Sequence, residues 1–324
     1  MTPELARLRS ILLKLTRDFF FDKGFIEADV PLLATDLVPE AEIRPFATKW
    51  ELPWGRTYPL WLLPSPERYL KQLLAQGFPK LYFLGKVYRN AESYSPHHHP
   101  EFSMLEWYEP GCEEDQLIVT LEEFFRVVDA VIPLPPALRP PFTVLDLQDC
   151  FIRWVGVDYT QYASFEEWRR ATAHFKASER ATSWEELWDI LFIDKVEPKL
   201  PKDRPVILSG WPIQHATQAQ VHEINHLKTR RWELYAGGLE LVNACKEATD
   251  PTYLQSIFQK NLEKVRKRSN PPNFSEVYTQ FCERLGTVSG AALGFDRFLE
   301  ILFQKTSIRE VIFFPLMDKL PFHE

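Results

Sequence analysis

Cysteine is scarce in this sequence, with only 4 among 324 residues. Cys112, Cys150, Cys245 and Cys282 lie far apart, and none of them forms the C-x-x-C spacing of zinc or redox motifs. The pattern therefore excludes a disulfide framework and a structural zinc site, and it predicts reduced, buried thiols.

Glycine-rich phosphate loops are also missing. The 12 glycines form neither a G-x-x-x-x-G-K-[ST] loop nor a G-x-G-x-x-G turn, which excludes P-loop and Rossmann nucleotide sites. If this protein binds a nucleotide, its phosphates must be held by side chains and a metal ion.

Long hydrophobic runs are absent as well. No apolar run in the sequence is long enough to span a bilayer, and the N-terminus lacks the apolar core and cleavage site of a signal peptide. We therefore expect a cytoplasmic protein with no membrane partner. The net charge of -7 argues mildly against a broad nucleic-acid surface.

Two arginine-bearing segments carry the strongest chemical signal. Tyr88-Arg89-Asn90 precedes the segment from His98 to Glu106, and a run of small residues beginning at Gly290 ends in Arg297. A guanidinium beside a rigid strand can grip phosphate bidentately. A lone arginine is more often part of a surface ion pair, so the interpretation depends on the rest of the chain.

The order of motifs along the chain resembles class II aminoacyl-tRNA synthetases, most closely their lysine branch. The two arginine segments are similar to motifs 2 and 3 of that family. Residues 24–33 resemble motif 1, the element through which these enzymes usually dimerise. Residues 64–71 resemble the amino-acid pocket segment, and residues 238–250 resemble the acidic strand. Five landmarks in the family's order argue against a chance match.

The resemblance implies an α+β fold in which an antiparallel sheet is flanked by helices. It implies a single catalytic domain over residues 1–324, with an insertion at roughly 111–230 between motif 2 and the acidic strand. The motif 1 helix begins at Pro3, so we expect no N-terminal anticodon-binding domain. Local patterns agree, because they predict a helix from Pro3 and an antiparallel hairpin of Leu81–Arg89 with Phe102–Tyr108. They also predict a strand at Thr287–Leu293 that leads into a helix.

The resemblance further implies which residues bind each substrate. Arg89 would contact the α-phosphate of ATP, and Arg297 the side of the γ-phosphate. The implied ATP site comprises Arg89, Asn90, Ala91, His98, His99, Glu240, Leu241, Gly294 and Arg297. The implied amino-acid pocket comprises Ser65, Pro66, Glu67, Glu106, Tyr108, Asn243, Glu247 and Ala292. Glu240 and Glu247 would coordinate Mg²⁺, since hard cations prefer oxygen ligands.

The run His97-His98-His99 could suggest a metal site, but three successive side chains cannot easily converge on one ion. The resemblance instead places His98 and His99 in the loop that faces the adenine. Four features depart from the family pattern: Ala91 replaces a common acid, the motif 2 loop is one residue longer, His99 replaces asparagine, and Ala244 replaces glycine.

The implied reaction is activation of lysine by ATP and Mg²⁺ as an aminoacyl adenylate, followed by transfer to an acceptor. Three hypotheses remain open. The chain resembles bacterial elongation factor P lysyltransferases, which attach a lysine, typically (R)-β-lysine, to a lysine of that factor. It could instead be a truncated synthetase that charges tRNA, or a non-catalytic regulatory paralogue.

Several residues favour the first hypothesis. The chain retains Arg89, Arg297, Glu240 and Glu247, which a non-catalytic paralogue need not keep. The expectation that the chain has no anticodon barrel, together with its negative charge, disfavours tRNA as a partner. Ala292 is typical of the elongation factor P enzymes, whereas lysyl-tRNA synthetases have glycine there. We therefore expect lysine or β-lysine, elongation factor P and a second copy of the chain as partners.

Overall fold

The structure is a computed structural model that describes residues 1–215, 218–268 and 270–316. Within these residues the helices are α1 (Pro3–Asp22), α2 (Glu67–Ala75), α3 (Glu114–Asp129), α4 (Leu147–Trp154), α5 (Phe165–Ala171), α6 (Ala177–Arg180), α7 (Trp184–Leu191), α8 (Pro251–Val265), α9 (Val277–Glu283) and α10 (Phe295–Leu302). The strands are β1 (Ile26–Glu27), β2 (Leu33–Ala34), β3 (Ala47–Glu51), β4 (Thr57–Leu62), β5 (Leu81–Tyr88), β6 (Glu101–Pro110), β7 (Thr143–Asp146), β8 (Val206–Ser209), β9 (Arg231–Ala236), β10 (Leu239–Lys246) and β11 (Val288–Gly294). A short 3₁₀ helix at Ile308–Val311 follows α10.

The chain divides into two compact units, of which the first comprises Met1–Glu113 and the described residues from Ala248 onward. Its main strands lie in the order β1-β5-β6-β11. Strand β1 is parallel to β5, whereas β5 pairs antiparallel with β6 and β6 antiparallel with β11. A separate antiparallel ribbon has the order β2-β4-β3.

The second unit spans Glu114–Glu247. Its strands lie in the order β10-β9-β8-β7, and only the pair β7–β8 is parallel. The predicted α+β class with antiparallel strands and flanking helices is confirmed. The second unit covers most of the insertion expected at roughly 111–230, but it also contains β10, the predicted acidic strand. The single catalytic domain stays a prediction.

Helix α1 begins where the sequence predicts. The Thr2 hydroxyl accepts a hydrogen bond from the Leu5 amide at 3.3 Å, and Pro3 occupies the first helical position, where a missing amide hydrogen costs nothing. The apolar side of the helix packs on the strands of the first unit. The ring of Phe20 stacks on Tyr82 at 4.9 Å between centroids and meets the edge of Trp107 at 5.6 Å.

The predicted hairpin and the strand–helix unit after it are confirmed. Strands β5 and β6 pair along their length from Leu81 opposite Tyr108 to Tyr88 opposite Glu101. Strand β11 then pairs with β6, and α10 begins directly at its end. The hairpin and α10 therefore place the ends of both arginine segments in the same unit.

A tryptophan-rich core holds the second unit together. Trp168, Trp184 and Trp188 are buried among the short helices α5 to α7. The indole of Trp188 stacks on Phe151 at 4.9 Å between centroids. The prediction of buried thiols holds for Cys150 and Cys282, but it is wrong for the other two cysteines, which are partly exposed. No helix among the described residues has the length and apolar character needed to cross a membrane.

Candidate active site

A buried carboxylate forms the centre of the predicted amino-acid pocket in the first unit. The side chain of Glu106 is 3% exposed. The Ser65 hydroxyl donates a hydrogen bond to its Oε2 at 2.9 Å, and the Tyr108 hydroxyl donates to its Oε1 at 2.9 Å. The Ser65 hydroxyl also accepts from the Glu67 amide at 3.1 Å. The structure therefore brings Ser65, Glu67, Glu106 and Tyr108 together, and their role in binding an amino acid stays a prediction.

The environment of Glu106 disfavours its charge. Burial, and then the neighbouring Glu67 carboxylate, raise the pKa of Glu106 to about 8. The hydrogen bonds from Tyr108 and Ser65 and the nearby Lys71 oppose the rise but do not cancel it. A buried carboxyl group whose ionised form is disfavoured is suited to receive a cation from a ligand.

Lys71 is a member of this pocket that the sequence analysis missed. Its side chain is 1% exposed, and its Nζ lies 2.5 Å from Oε1 of Glu67. The two residues are four positions apart on α2, so they lie on the same helix face. The i, i+4 spacing of Glu67 and Lys71 was visible in the sequence, but burial of the pair was not. Lys71 therefore pairs with Glu67 and also lowers the pKa of Glu106, although burial of Glu106 raises that pKa more.

Small residues on β11 make room for the pocket. Residues directly opposite each other on antiparallel strands point to the same face, and Gly290 lies opposite Tyr108 while Ala292 lies opposite Glu106. A Cβ on Gly290 would stand 2.3 Å from the Tyr108 ring. Gly290 therefore allows the ring to lie across β11, and the methyl group of Ala292 lies beside Glu106.

Arg89 is held where β5 ends. Its Nε donates to the Pro64 carbonyl at 3.4 Å, and its guanidinium lies 5.4 Å from the centre of the Phe102 ring. Pro64 is the first residue of the predicted pocket segment, so this bond ties the arginine to that segment. Asn90 donates its amide to the Arg44 carbonyl at 2.7 Å. Ala91 has a φ of 56°, a left-handed backbone that turns the chain into the motif 2 loop.

The backbone at Arg297 is held in place through the neighbouring residue, Asp296. The buried Asp296 carboxylate pairs with Arg9 at 2.6 Å and accepts the Ser103 amide at 2.6 Å. Arg9 also donates to the Ser103 hydroxyl at 2.8 Å and to the Val311 carbonyl at 3.2 Å. These bonds fix the start of α10, just after Gly294, against β6 and α1. The sequence analysis missed Arg9 and Asp296, because a pair so far apart in the chain leaves no local pattern.

The histidines of the motif 2 loop have different surroundings. Nε2 of His98 lies 3.5 Å from Nη2 of Arg297, and its Nδ1 lies 2.6 Å from the Ser95 hydroxyl. His99 is buried, with Nδ1 2.5 Å from the Glu101 carbonyl and Nε2 accepting the Leu316 amide at 2.9 Å. His98 therefore lies beside Arg297, whereas both ring nitrogens of His99 form hydrogen bonds within the protein.

The predicted acidic strand in the second unit contains a β-bulge. Glu240 lies opposite Tyr235 and Val242 opposite Leu234, so Leu241 is the extra residue. In a regular strand Glu240 and Asn243 would point to opposite faces, because their separation is odd. The bulge shifts the alternation by one residue. Glu240 and Asn243 therefore share one face of the strand.

Asn243 is held by a buried network on β9. The Nε of Arg231 donates to Oδ1 of Asn243 at 3.2 Å, and its Nη2 pairs with the Glu233 carboxylate. Burial, and then the nearby charge of Glu240, raise the pKa of Glu233 to about 8. The sequence analysis missed Arg231 and Glu233, although their alternation on one strand is a usable signal.

Glu240 lies near two other carboxylates of the second unit. Burial, and then the charge of Glu240, also raise the pKa of Glu197, as they do for Glu233. Carboxylate oxygens fit Mg²⁺. Within residues 1–215, 218–268 and 270–316, no three acid, histidine or cysteine side chains gather closely enough to ligate an ion by themselves. A Mg²⁺ ion would therefore take its remaining ligands from phosphate and water, as it commonly does.

Glu247 lies just after β10. Its side chain is buried, and Oε1 accepts a weak hydrogen bond from the Cys245 thiol at 3.7 Å. The residue also forms an isolated bridge with Ala219. Glu240, Leu241, Asn243 and Glu247 thus belong to the second unit, and the other predicted site residues belong to the first.

The fold and these side chains define a class of enzyme. The family model for class II tRNA synthetases (D, K and N) matches residues 2–318, and the chain belongs to this family. ATP use follows from that membership.

Curated relatives narrow the match. An elongation factor P--(R)-beta-lysine ligase of Haemophilus influenzae is 31% identical over 311 residues, which cover 94% of this chain and 93% of the relative. A protein of the same name from Salmonella typhi is 30% identical over 318 residues, covering 96% and 94%. One from Yersinia enterocolitica is 30% identical over 314 residues, covering 95% and 94%. The resemblance found in the sequence is confirmed both for the synthetase family and for its similarity to the elongation factor P ligases.

Proposed function

We propose that this protein activates a lysine, most favourably (R)-β-lysine, with ATP and transfers it to a lysine ε-amine of elongation factor P. The relatives named above, matched over nearly their whole length, support the acceptor and the amino acid. The observation that carries the proposal is Glu106. A buried carboxyl oriented by Ser65 and Tyr108 is a site for a substrate ammonium group, since opposite charge offsets the cost of burial.

We assign the amino-acid pocket to the residues that the sequence resemblance implies for it. Glu106 and Tyr108 receive one substrate ammonium group, and Glu67 contributes a second acid. Ala292 limits the space beside Glu106, so it contributes to the choice between lysine isomers, although one methyl group discriminates by only about 1–3 kcal/mol. Asn243 and Glu247 complete the assignment, together with the backbone of Ser65 and Pro66.

We assign ATP to the two arginines and their neighbours. Arg89 neutralises charge on the α-phosphate, and Arg297 contacts the far end of the triphosphate. Asn90, Ala91, His98, His99, Leu241 and Gly294 surround the nucleotide in this assignment. Glu240 and Glu247 would hold Mg²⁺, which when bound supplies positive charge that stabilises the leaving pyrophosphate.

The reaction then needs two substitutions. The lysine carboxylate attacks the α-phosphorus of ATP and pyrophosphate leaves, which gives an aminoacyl adenylate. The neutral ε-amine of the acceptor attacks the activated carbonyl, an amide bond forms, and AMP leaves with the proton lost to solvent. Positioning and charge stabilisation by Arg89 and Arg297 carry most of the rate in such a mechanism.

We also propose that the protein forms a homodimer through motif 1 and works in the cytoplasm. Motif 1 and the end of α1 expose apolar side chains, among them Phe21 at 76% exposed and Leu33 at 50%. Exposed apolar patches of this kind often mark protein interfaces. Light scattering tests the dimer, and Phe21→Glu should convert it to a monomer. A wild-type monomer at micromolar concentration would refute this part of the proposal.

The experiment for the proposed function compares two acceptors under one set of conditions. The protein is incubated with ATP, Mg²⁺ and either isotopically labelled α-lysine or labelled (R)-β-lysine, together with purified elongation factor P or tRNA. We expect the label to be transferred to elongation factor P and to resist mild base, because an amide bond is stable under those conditions. Base-labile label on tRNA, with none on the protein, would establish the synthetase instead.

A further inference from the structure

One buried acid in the first unit has no role in the assignment above. Glu300 lies on α10, and its side chain is 1% exposed. His97 Nδ1 lies 2.6 Å from its Oε1. Its Oε2 is buried and has no hydrogen-bond partner in the described part of the chain. A buried carboxylate with one oxygen that accepts no hydrogen bond lowers the stability of the fold. Packing alone therefore does not explain why an acid occupies this position.

The position of Glu300 connects it to the nucleotide residues. Glu300 and Arg297 are three residues apart on α10 and share one helix face. The Arg297 guanidinium is close enough to lower the pKa of Glu300, although burial raises that pKa more. His97 directly precedes His98, whose Nε2 lies 3.5 Å from Arg297. The His97–Glu300 bond therefore joins the motif 2 loop to the helix that carries Arg297.

The rest of the loop is tied mainly to the segment after α10. The Pro96 carbonyl accepts the Ile308 amide at 2.9 Å and the Ser307 hydroxyl at 3.1 Å. Arg309 donates to the Tyr94 hydroxyl at 3.1 Å. These bonds hold the segment that precedes His97 without reaching Arg297. Among the contacts described between the motif 2 loop and α10, the His97–Glu300 bond is shorter than the His98–Arg297 contact. It therefore sets how closely the loop approaches Arg297.

We propose that His97 and Glu300 are positioning residues for ATP, and that their bond fixes the spacing between His98 and Arg297. The inference rests on the proposed function, because it assigns the loop and Arg297 to the nucleotide. The pair acts through Arg297 and His98 and does not touch the reacting atoms. Its loss should weaken ATP binding and leave lysine binding and turnover nearly intact.

The test uses Glu300→Met, which removes the buried charge but keeps a side chain of similar length. We expect the Kd for a non-hydrolysable ATP analogue and the KM for ATP to rise about tenfold, as expected for one charge-assisted hydrogen bond. The KM for lysine and kcat should stay within about twofold of wild type. The melting temperature should be unchanged or higher, because replacing a buried charge by an apolar group is often stabilising.

Two further variants separate positioning from a structural effect. Glu300→Gln keeps an acceptor for His97 and should restore most of the ATP affinity. His215→Gln is the matched control, since Nε2 of His215 lies 3.5 Å from Asp189 in the second unit, and its Kd for the analogue should equal that of wild type. An unchanged Kd and KM in Glu300→Met, or a lower melting temperature with unchanged affinity, would overturn the inference.

The outcomes distinguish this inference from the proposed function. If wild type binds the analogue but no lysine isomer drives pyrophosphate exchange, the proposed function fails, and the effect of Glu300→Met on affinity still decides the inference. If wild type is active and Glu300→Met binds ATP normally, only the inference fails. If wild type binds no nucleotide, both fail.

Discussion

Glu106 shows how a single buried residue connects structure to chemistry. Its carboxyl is protonated over much of the neutral range, because burial and Glu67 raise its pKa to about 8. A substrate ammonium group favours the ionised form, so binding and ionisation are coupled. The sequence predicted Glu106 as a pocket residue. It could not predict the raised pKa, which depends on burial and on the carboxylate of Glu67.

The KM for lysine should fall as pH rises from 6.5 to 8. The ionised fraction of Glu106 increases over this window, and the expected change in KM is about tenfold. Glu106→Gln should bind lysine weakly and lose this dependence. The measurement is the KM for lysine in pyrophosphate exchange at a series of pH values. A wild-type KM that is flat with pH would contradict the assignment of Glu106 to the ammonium group.

The same shift predicts the pH dependence of stability. The pKa of Glu106 is raised from 4.5 to about 8 in the folded chain, so between these values the folded state binds more protons than the unfolded state. The contribution of Glu106 to the free energy of unfolding therefore decreases as pH rises through this window. Glu106→Gln should gain stability relative to wild type from pH 5 to pH 8 in urea titrations. An equal difference at both pH values would show that the pKa is not raised.

The two arginines carry the most direct prediction about catalysis. Arg89→Ala and Arg297→Ala should each reduce lysine-dependent pyrophosphate exchange by about a hundredfold or more, since each removes charge stabilisation of the transition state. Arg126→Ala is the control, because the Arg126 side chain is exposed on α3 and forms an i, i+4 pair with Glu122. Near-normal exchange in either variant, with the fold intact, would reassign that arginine to a structural role.

At the scale of the element, strand register decides which residues share a face. The sequence predicted the hairpin of β5 and β6, β11 and the start of α10, because their apolar patterns are local and long enough. It did not predict the bulge at Leu241. Without this bulge Glu240 and Asn243 would lie on opposite faces, and a pattern of alternating residues cannot reveal one inserted position.

Close packing between β6 and β11 gives a test at this scale. Gly290→Ala would place a Cβ 2.3 Å from the ring of Tyr108, and the buried ring has little room to move. We expect the bond from Tyr108 to Glu106 to be lost and the KM for lysine to rise about tenfold. Tyr108→Phe keeps the ring and removes only the hydroxyl, so it isolates the hydrogen bond. A wild-type KM in Gly290→Ala would show that the ring position does not matter.

The anchor of α10 is a buried ion pair. Arg9→Met removes the 2.6 Å partner of the buried Asp296 carboxylate and leaves the Lys86 ammonium at 4.0 Å, so the free energy of unfolding should fall by about 3–5 kcal/mol. Lys14→Gln breaks the exposed pair of Lys14 with Asp18 on the same helix and should cost about 0.5 kcal/mol or less. Denaturant titration measures both. Equal small losses would mean that Arg9 and Asp296 do not hold α10.

At the scale of the whole molecule, order along the chain was more informative than composition. The five motif-like segments were found in the sequence because family motifs are contiguous. The contacts Arg9–Asp296 and His97–Glu300 were not, because each joins residues that are distant in sequence. The division at Glu113 and Glu247 was likewise not predicted, since it depends on which segments pack together.

The central claim concerns the acceptor, and intact mass spectrometry of elongation factor P tests it most directly. The factor is incubated with the protein, ATP, Mg²⁺ and (R)-β-lysine, and in parallel with α-lysine, because the two isomers add the same mass. We predict a gain of one lysyl residue that is greater with the β-isomer. The gain should be lost in Arg89→Ala and when the acceptor lysine is changed to arginine. An unchanged mass with both isomers, from an enzyme that performs lysine-dependent pyrophosphate exchange, would contradict the account.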